Sequence, residues 1–190
     1  MSNAIENSKK IISELDNIIS HVDVAKSEEL VDLVLSTKKQ NKKAYCAGAG
    51  RSLLMIRSFA MRMMHMGLRS YVVGETATPA IEKDDLIIFA SGSGETGALK
   101  IMIQKAKSVG AHIVVITRNA ESTLAKNADL VVLIPINYGI SGFQPNGSTF
   151  EQSLLLLTDG LTLRVIEKGK LLKENQDIND YIMTYHANLE

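Results

Sequence analysis

The segment Ser91-Gly-Ser-Gly-Glu-Thr-Gly97 puts two serines, a threonine and three glycines at one junction. An apolar run, DLIIFA (85–90), precedes it, and a helical pattern, ALKIMIQKAKSV (98–109), follows. A second junction of the same kind, Gly48-Ala-Gly-Arg-Ser52, follows KKAYCA. A strand that ends in a glycine loop and turns into a helix leaves free backbone N–H groups at the positive end of the helix dipole, where an anion is favoured. Glycines let the backbone approach that anion closely, and the hydroxyls of Ser52, Ser91, Ser93 and Thr96 add donors. The chemistry suits a phosphate monoester, with Gly50, Arg51 and Gly92 as further candidate contacts. Helix-start serines and threonines also serve as N-caps, and Ser93 with Thr96 fits that role too.

Other anion and metal signatures are excluded. GAGRSLLMI has G-x-G without the third glycine of a dinucleotide fingerprint, and no G-x-x-x-x-G-K-[ST] occurs. His21, His65, His112 and His186 show no spacing typical of zinc, so no metal and no cofactor is expected. Ser148-Thr-Phe-Glu151 reads as a capping box, in which the glutamate would bind backbone at the N-cap. Glu95 reads as a helix-start acid.

The elements that must hold these loops follow from hydrophobic period. Residues 4–20, 23–40, 51–66, 95–109, 121–127, 148–168 and 177–184 show helical patterns. Short runs rich in Val, Ile and Leu at 70–73, 85–90, 112–117 and 129–135 read as strands, as does the short apolar run in KKAYCA that ends in the first glycine loop, while 136–147 is turn-rich. Most of the strand runs are uninterrupted rather than alternating, as in a parallel sheet buried on both faces. The expected fold is α/β: one doubly wound domain over 1–190 with a five-stranded parallel sheet. It divides into a helical N-terminus (1–40), an α/β core (41–168) and a C-terminal helix and tail (169–190). In such sheets ligands bind beyond the carboxyl ends of the strands, where both glycine loops fall. Methionines of Met61-Arg-Met-Met-His-Met66 fill core gaps or form an interface.

Bulk properties narrow the class. Twenty-one basic residues balance 21 acidic ones, which argues against general nucleic-acid binding. Cys46 is the only cysteine, so a reducing, cytoplasmic setting is expected. No apolar run has the length of a membrane span, and no signal-peptide core is evident at the N-terminus.

GAGRS followed by SGSGET in such a chain resembles a sugar isomerase (SIS) domain. VGETATPAI (73–81), FQPNGSTFEQ (143–152) and the closing HANLE (186–190) resemble, more narrowly, the 6-phospho-3-hexuloisomerases of the ribulose monophosphate pathway. Asn146 stands where that pattern has methionine, and Tyr185 where it has arginine. The resemblance implies a phosphosugar substrate with Ser52, Ser91, Ser93 and Thr96 on the phosphate. It implies interconversion of D-arabino-3-hexulose 6-phosphate and fructose 6-phosphate through an enediol, without metal or redox cofactor. It places a catalytic glutamate at Glu151, against the capping-box reading, and an ordered tail that carries His186, the candidate proton shuttle. Arg51 would assist with phosphate or enediolate. A homotetramer is implied, with His186 reaching a neighbouring subunit's site. The alternatives are an aldose–ketose isomerase acting on a sugar such as arabinose 5-phosphate, and a non-catalytic phosphosugar sensor.

Overall fold

The computed structural model describes residues 3–136 and 143–189. Two helices open the chain, α1 (Ala4–Ile19) and α2 (Val24–Lys39). Asn3 starts α1 through a reciprocal capping box with Glu6, and Asp23 caps α2 through the Lys26 N–H. Then β1 (Lys43–Gly48) leads into α3 (Gly50–His65), and β2 (Arg69–Val72) follows. The rest follows as β3 (Leu86–Ala90), α4 (Gly97–Val109), β4 (His112–Thr117), β5 (Leu130–Leu133), α5 (Ser148–Lys168) and the short α6 (Ile178–Met183). Of the turn-rich stretch, residues 137–142 lie outside the described residues. The helix expected at 121–127 shrinks to a 3-10 turn at Ala125–Asn127, preceded by turns in which the Ser122 hydroxyl accepts from the Ala125 N–H.

The sheet is wholly parallel, in the order β2-β1-β3-β4-β5. Every residue of β3 is buried, and its side chains alternate between two cores. Leu86, Ile88 and Ala90 join the larger core, with Ile18 of α1, Leu30 and Val34 of α2, Phe59 and Met63 of α3, and Leu154 and Leu161 of α5. Ile87 and Phe89 join the smaller one, where Leu99 and Ile103 of α4 cover the opposite face. This two-sided burial is why the strands read as unbroken apolar runs. The methionine cluster divides: Met63 and Met66 are in the core, while Met61 is on the surface. Cys46 lies buried in β1, where desolvation raises the pKa of its thiol.

Strand order fixes where the loops meet. From β1 the chain crosses to β2 on one side, and later to β3 on the other, so the two connections diverge at β1 and β3. Gly48 and Ala90, the last residues of those strands, are register partners. The two glycine loops therefore start side by side at the topological switch point. Gly48 is required by close approach, since a Cβ there would lie 3.0 Å from Leu53 Cα and 3.3 Å from the Ala90 carbonyl oxygen. Gly94 has φ +66°, and a Cβ would collide with the Ser122 hydroxyl. An alanine there meets both a strained backbone and a filled space.

Candidate active site

A cleft of about 200 Å³ opens at this switch point. One wall is the start of α3 with Ser52. A second is the β3–α4 loop, with Ser91, Gly92, Ser93 and Thr96. A third is the start of α5, with Gly147, Phe150 and Glu151. The structure thus gathers every sequence-predicted phosphate ligand into one cavity and brings Glu151 to it.

Both helices begin here without a capping side chain. Ala49 is the N-cap of α3 and has no hydroxyl to offer. Thr96 is the N-cap of α4, yet its side chain makes no capping bond; its Oγ1 lies 3.4 Å from Ser91 Oγ. The capping reading of Thr96 is therefore not what the structure shows. The first N–H groups of each helix have no intrahelical acceptor and face the crevice end of the sheet. Ser91 is buried and accepts from the Gly94 N–H at 3.1 Å, which shapes the loop. Ser93 Oγ accepts from the Glu95 N–H at 3.2 Å and stays exposed.

Glu95 holds the loop from outside. Its carboxylate accepts from the Thr123 N–H at 2.6 Å and from the Thr123 hydroxyl at 2.8 Å. These bonds, with Lys100 nearby, hold its pKa below the usual carboxylate range. A structural acid, not a base, is the role that fits.

The capping box at Ser148 does not form. The N-cap is Gly147, at φ +94°, so Ser148 is the first helical residue and Glu151 falls one position too late to reach back. The Glu151 carboxylate instead accepts from Arg51 Nε at 2.5 Å, a contact between the starts of α5 and α3. The Glu151 side chain is 11% exposed, against 64% for Arg51, so a nearly buried carboxylate lines the cleft under a solvent-facing guanidinium. Gly50 opens α3 at φ +54° but, like Arg51, is not among the residues that line the cleft.

Arg118 is the cleft residue that the sequence reading passed over. It follows β4 directly, lines the cavity, and its N–H donates to the Gly92 carbonyl at 3.4 Å. A Cβ on Gly92 would sit 3.5 Å from Arg118 Nε and 3.3 Å from the Phe150 ring. Its position directly after the HIVVIT run is the signal in the sequence; that this strand lies beside β3 comes from the fold.

His186 is not at this cleft in its own chain. Its Nδ1 lies 2.9 Å from Nε2 of His65, the last residue of α3, and the rings are 5.1 Å apart. The cleft is at the first residues of α3, so at about 1.5 Å per residue the two ends are roughly 22 Å apart. The chain leading to His186 packs there: the Tyr181 hydroxyl donates to the Met66 carbonyl at 3.2 Å, and Tyr185 stacks edge-on against Tyr181. Burial lowers the pKa of His65, with Arg62 and His186 adding to the effect. Among the described residues no group of three His, Cys, Asp or Glu side chains converges as a metal site would require. No helix among them is long and apolar enough to cross a membrane.

Comparison with known proteins adds to this geometry. The SIS domain model matches residues 38–158. A 3-hexulose-6-phosphate isomerase of Bacillus subtilis (strain 168) is 41% identical over 187 residues, covering 95% of this chain and 96% of its own. One from Methylomonas aminofaciens is 37% identical, with 95% and 96% covered. A solved structure from Methanococcus jannaschii superposes with a TM-score of 0.82 at 33% identity, over 96% of this chain and 99% of that one. Its reported function, inferred from that structure, is 3-hexulose-6-phosphate isomerase.

Proposed function

The chain belongs to the SIS domain family, and we propose that it is a 3-hexulose-6-phosphate isomerase, the activity also called 6-phospho-3-hexuloisomerase. It interconverts D-arabino-3-hexulose 6-phosphate and fructose 6-phosphate. The observation that carries the assignment to this cleft is the buried Glu151 carboxylate, which lines the same cavity as the Ser/Thr loop.

The phosphate is held by the hydroxyls of Ser52, Ser91, Ser93 and Thr96 and by the open N–H groups of α3 and α4. Arg118, across Gly92, adds a cation to a site whose ligand carries close to two negative charges at neutral pH. With the phosphate fixed, the sugar chain extends toward α5. Glu151 takes the proton from C2 of the 3-ketose. The released electron pair forms the C2–C3 double bond, and the carbonyl oxygen on C3 takes up a proton. Return of a proton to C3, with loss of the one on the C2 hydroxyl, leaves the carbonyl at C2. Arg51, already on Glu151 Oε2, holds the carboxylate in place from the start of α3. Conversion of the 3-ketose followed by NMR in deuterated water tests the assignment. Fructose 6-phosphate should appear, carrying solvent deuterium at C3. A panel in which only arabinose 5-phosphate reacts would move the assignment to an aldose–ketose isomerase, and binding without reaction would make the chain a sensor.

A hydroxyl-proton shuttle by His186 requires a neighbouring subunit, because its own chain places it at the far end of α3. Support for assembly comes from apolar pairs seven residues apart on three helices: Ile5 and Ile12 on α1, Leu54 and Met61 on α3, Leu156 and Leu163 on α5. All six are exposed, and each pair shares one helix face. A homotetramer with closed symmetry buries these faces and brings the tails of neighbours to the clefts. Mixing inactive Glu151→Gln with inactive His186→Ala subunits tests the sharing. Random pairing in a closed assembly should restore roughly a quarter of wild-type activity. No recovery in mixed oligomers would remove His186 from the site. Packing of α1 and α2 into the larger core supports reading residues 1–190 as one domain, and the single buried cysteine suits a cytoplasmic enzyme.

A further inference from the structure

Helix α1 lies outside the matched SIS region, yet it touches the segment that leads into the cleft. Lys10 and Glu14 are four residues apart and share one face of α1. Lys10 Nζ lies 5.7 Å above the Phe143 ring. Glu14 Oε2 accepts from Gln144 Nε2 at 2.8 Å, and its Oε1 lies 3.5 Å from the hydroxyl of Thr149, which is buried in the first turn of α5. Between Gln144 and Glu151 the chain runs only through Pro145, Asn146, Gly147 and that first turn. The left-handed Gly147 at the hinge lines the cleft itself.

We propose that Glu14 is a positioning residue: one carboxylate on α1 clamps both sides of the Gly147 turn and so fixes where α5 begins and where Glu151 points. One oxygen holds the incoming strand of the turn and the other holds the outgoing helix. Beside the clamp, the turn has its own backbone bonds, from the Ser148 N–H to the Pro145 carbonyl and from the Glu151 N–H to Gly147, and Arg51 holds the Glu151 carboxylate from α3. Displacing a catalytic group by about 1 Å costs up to roughly 100-fold in rate, which makes such a clamp consequential although it never meets substrate. The inference rests on Glu151 being the base at this cleft, and it gives the N-terminal helix a part in the reaction.

Two readouts test it. Amide hydrogen exchange over residues 143–151 reads the clamp with no reference to any reaction, and steady-state kinetics below the melting point of every variant reads its consequence. Glu14→Ala should speed exchange in that window and lower kcat by about 10- to 100-fold. KM should stay within about twofold, since the phosphate loop is on other elements. Glu14→Gln, which still offers an acceptor to Gln144, should recover much of the loss. Gln144→Ala should reproduce part of it from the other side, and the double variant should be no worse than Glu14→Ala alone, the mark of one shared contact. Wild-type turnover in Glu14→Ala, or unchanged exchange with additive losses in the double variant, would overturn the proposal. If Glu151→Gln keeps full turnover while Glu14→Ala loses it, the assignment of the base is wrong and the clamp stands.

Discussion

Glu151→Gln is expected to fold, to bind phosphosugar as the wild type does, and to turn over about 100- to 10,000-fold more slowly, the usual loss when a positioned acid–base group is removed. Glutamine keeps the shape of the side chain and can still accept from Arg51 Nε, so the junction of α3 and α5 survives. What is lost is the ability to take a proton from carbon. Because Gly147 rather than Ser148 caps α5, no capping bond goes with the substitution, and a drop in activity cannot be ascribed to a frayed helix. Turnover and a melting curve measured on the same preparation separate the two effects. KM should move little, since the residues proposed to hold the phosphate line the cleft from α3, the β3–α4 loop and Arg118.

The second large effect is expected at Thr96. Thr96→Val replaces a hydroxyl by a methyl group of nearly the same volume, and Thr96 Oγ1 makes no capping bond that the variant would lose. A hydrogen bond to a charged group contributes about 1.5–3 kcal/mol, so phosphosugar affinity should fall by roughly 10- to 150-fold with little change in stability. Ser93→Ala should lie at the lower end, because Ser93 Oγ also serves its own loop through the Glu95 N–H. Calorimetric titration with fructose 6-phosphate reads both. Wild-type affinity in both variants would take this loop off the phosphate.

What the sequence made legible was local. Unbroken Ile, Val and Leu runs such as Leu86–Ala90 announced strands buried on both faces, and the glycines at 48, 50, 92 and 94 announced the two loops: Gly48, Gly92 and Gly94 have close neighbours where a Cβ would stand, while Gly50 has open space but a φ of +54°. The parallel α/β fold follows from those signals. The long-range facts were not visible. Nothing in Ser148-Thr-Phe-Glu distinguishes a capping box from a helix that starts one residue earlier; the difference is a left-handed glycine at 147 and an arginine 100 positions away in the chain. Arg118 reads as a single basic residue after a strand until β4 is known to lie beside β3. Glu14 reads as one more polar position on an amphipathic helix, because Gln144 is 130 residues distant. Of the HANLE tail, His186 packs at the end of α3, remote from its own chain's cleft, while Ala187, Asn188 and Leu189 are exposed; no local pattern encodes that placement.

The central claim is that Glu151 moves a proton between C2 and C3 of a sugar phosphate held in this cleft. Its most direct test is the rate at which the C2 proton of D-arabino-3-hexulose 6-phosphate exchanges into deuterated water, followed by NMR with wild-type protein and with Glu151→Gln. The account predicts exchange and isomerisation in the wild type, and loss of both together in the variant while substrate still binds. Exchange at the wild-type rate in Glu151→Gln would contradict it.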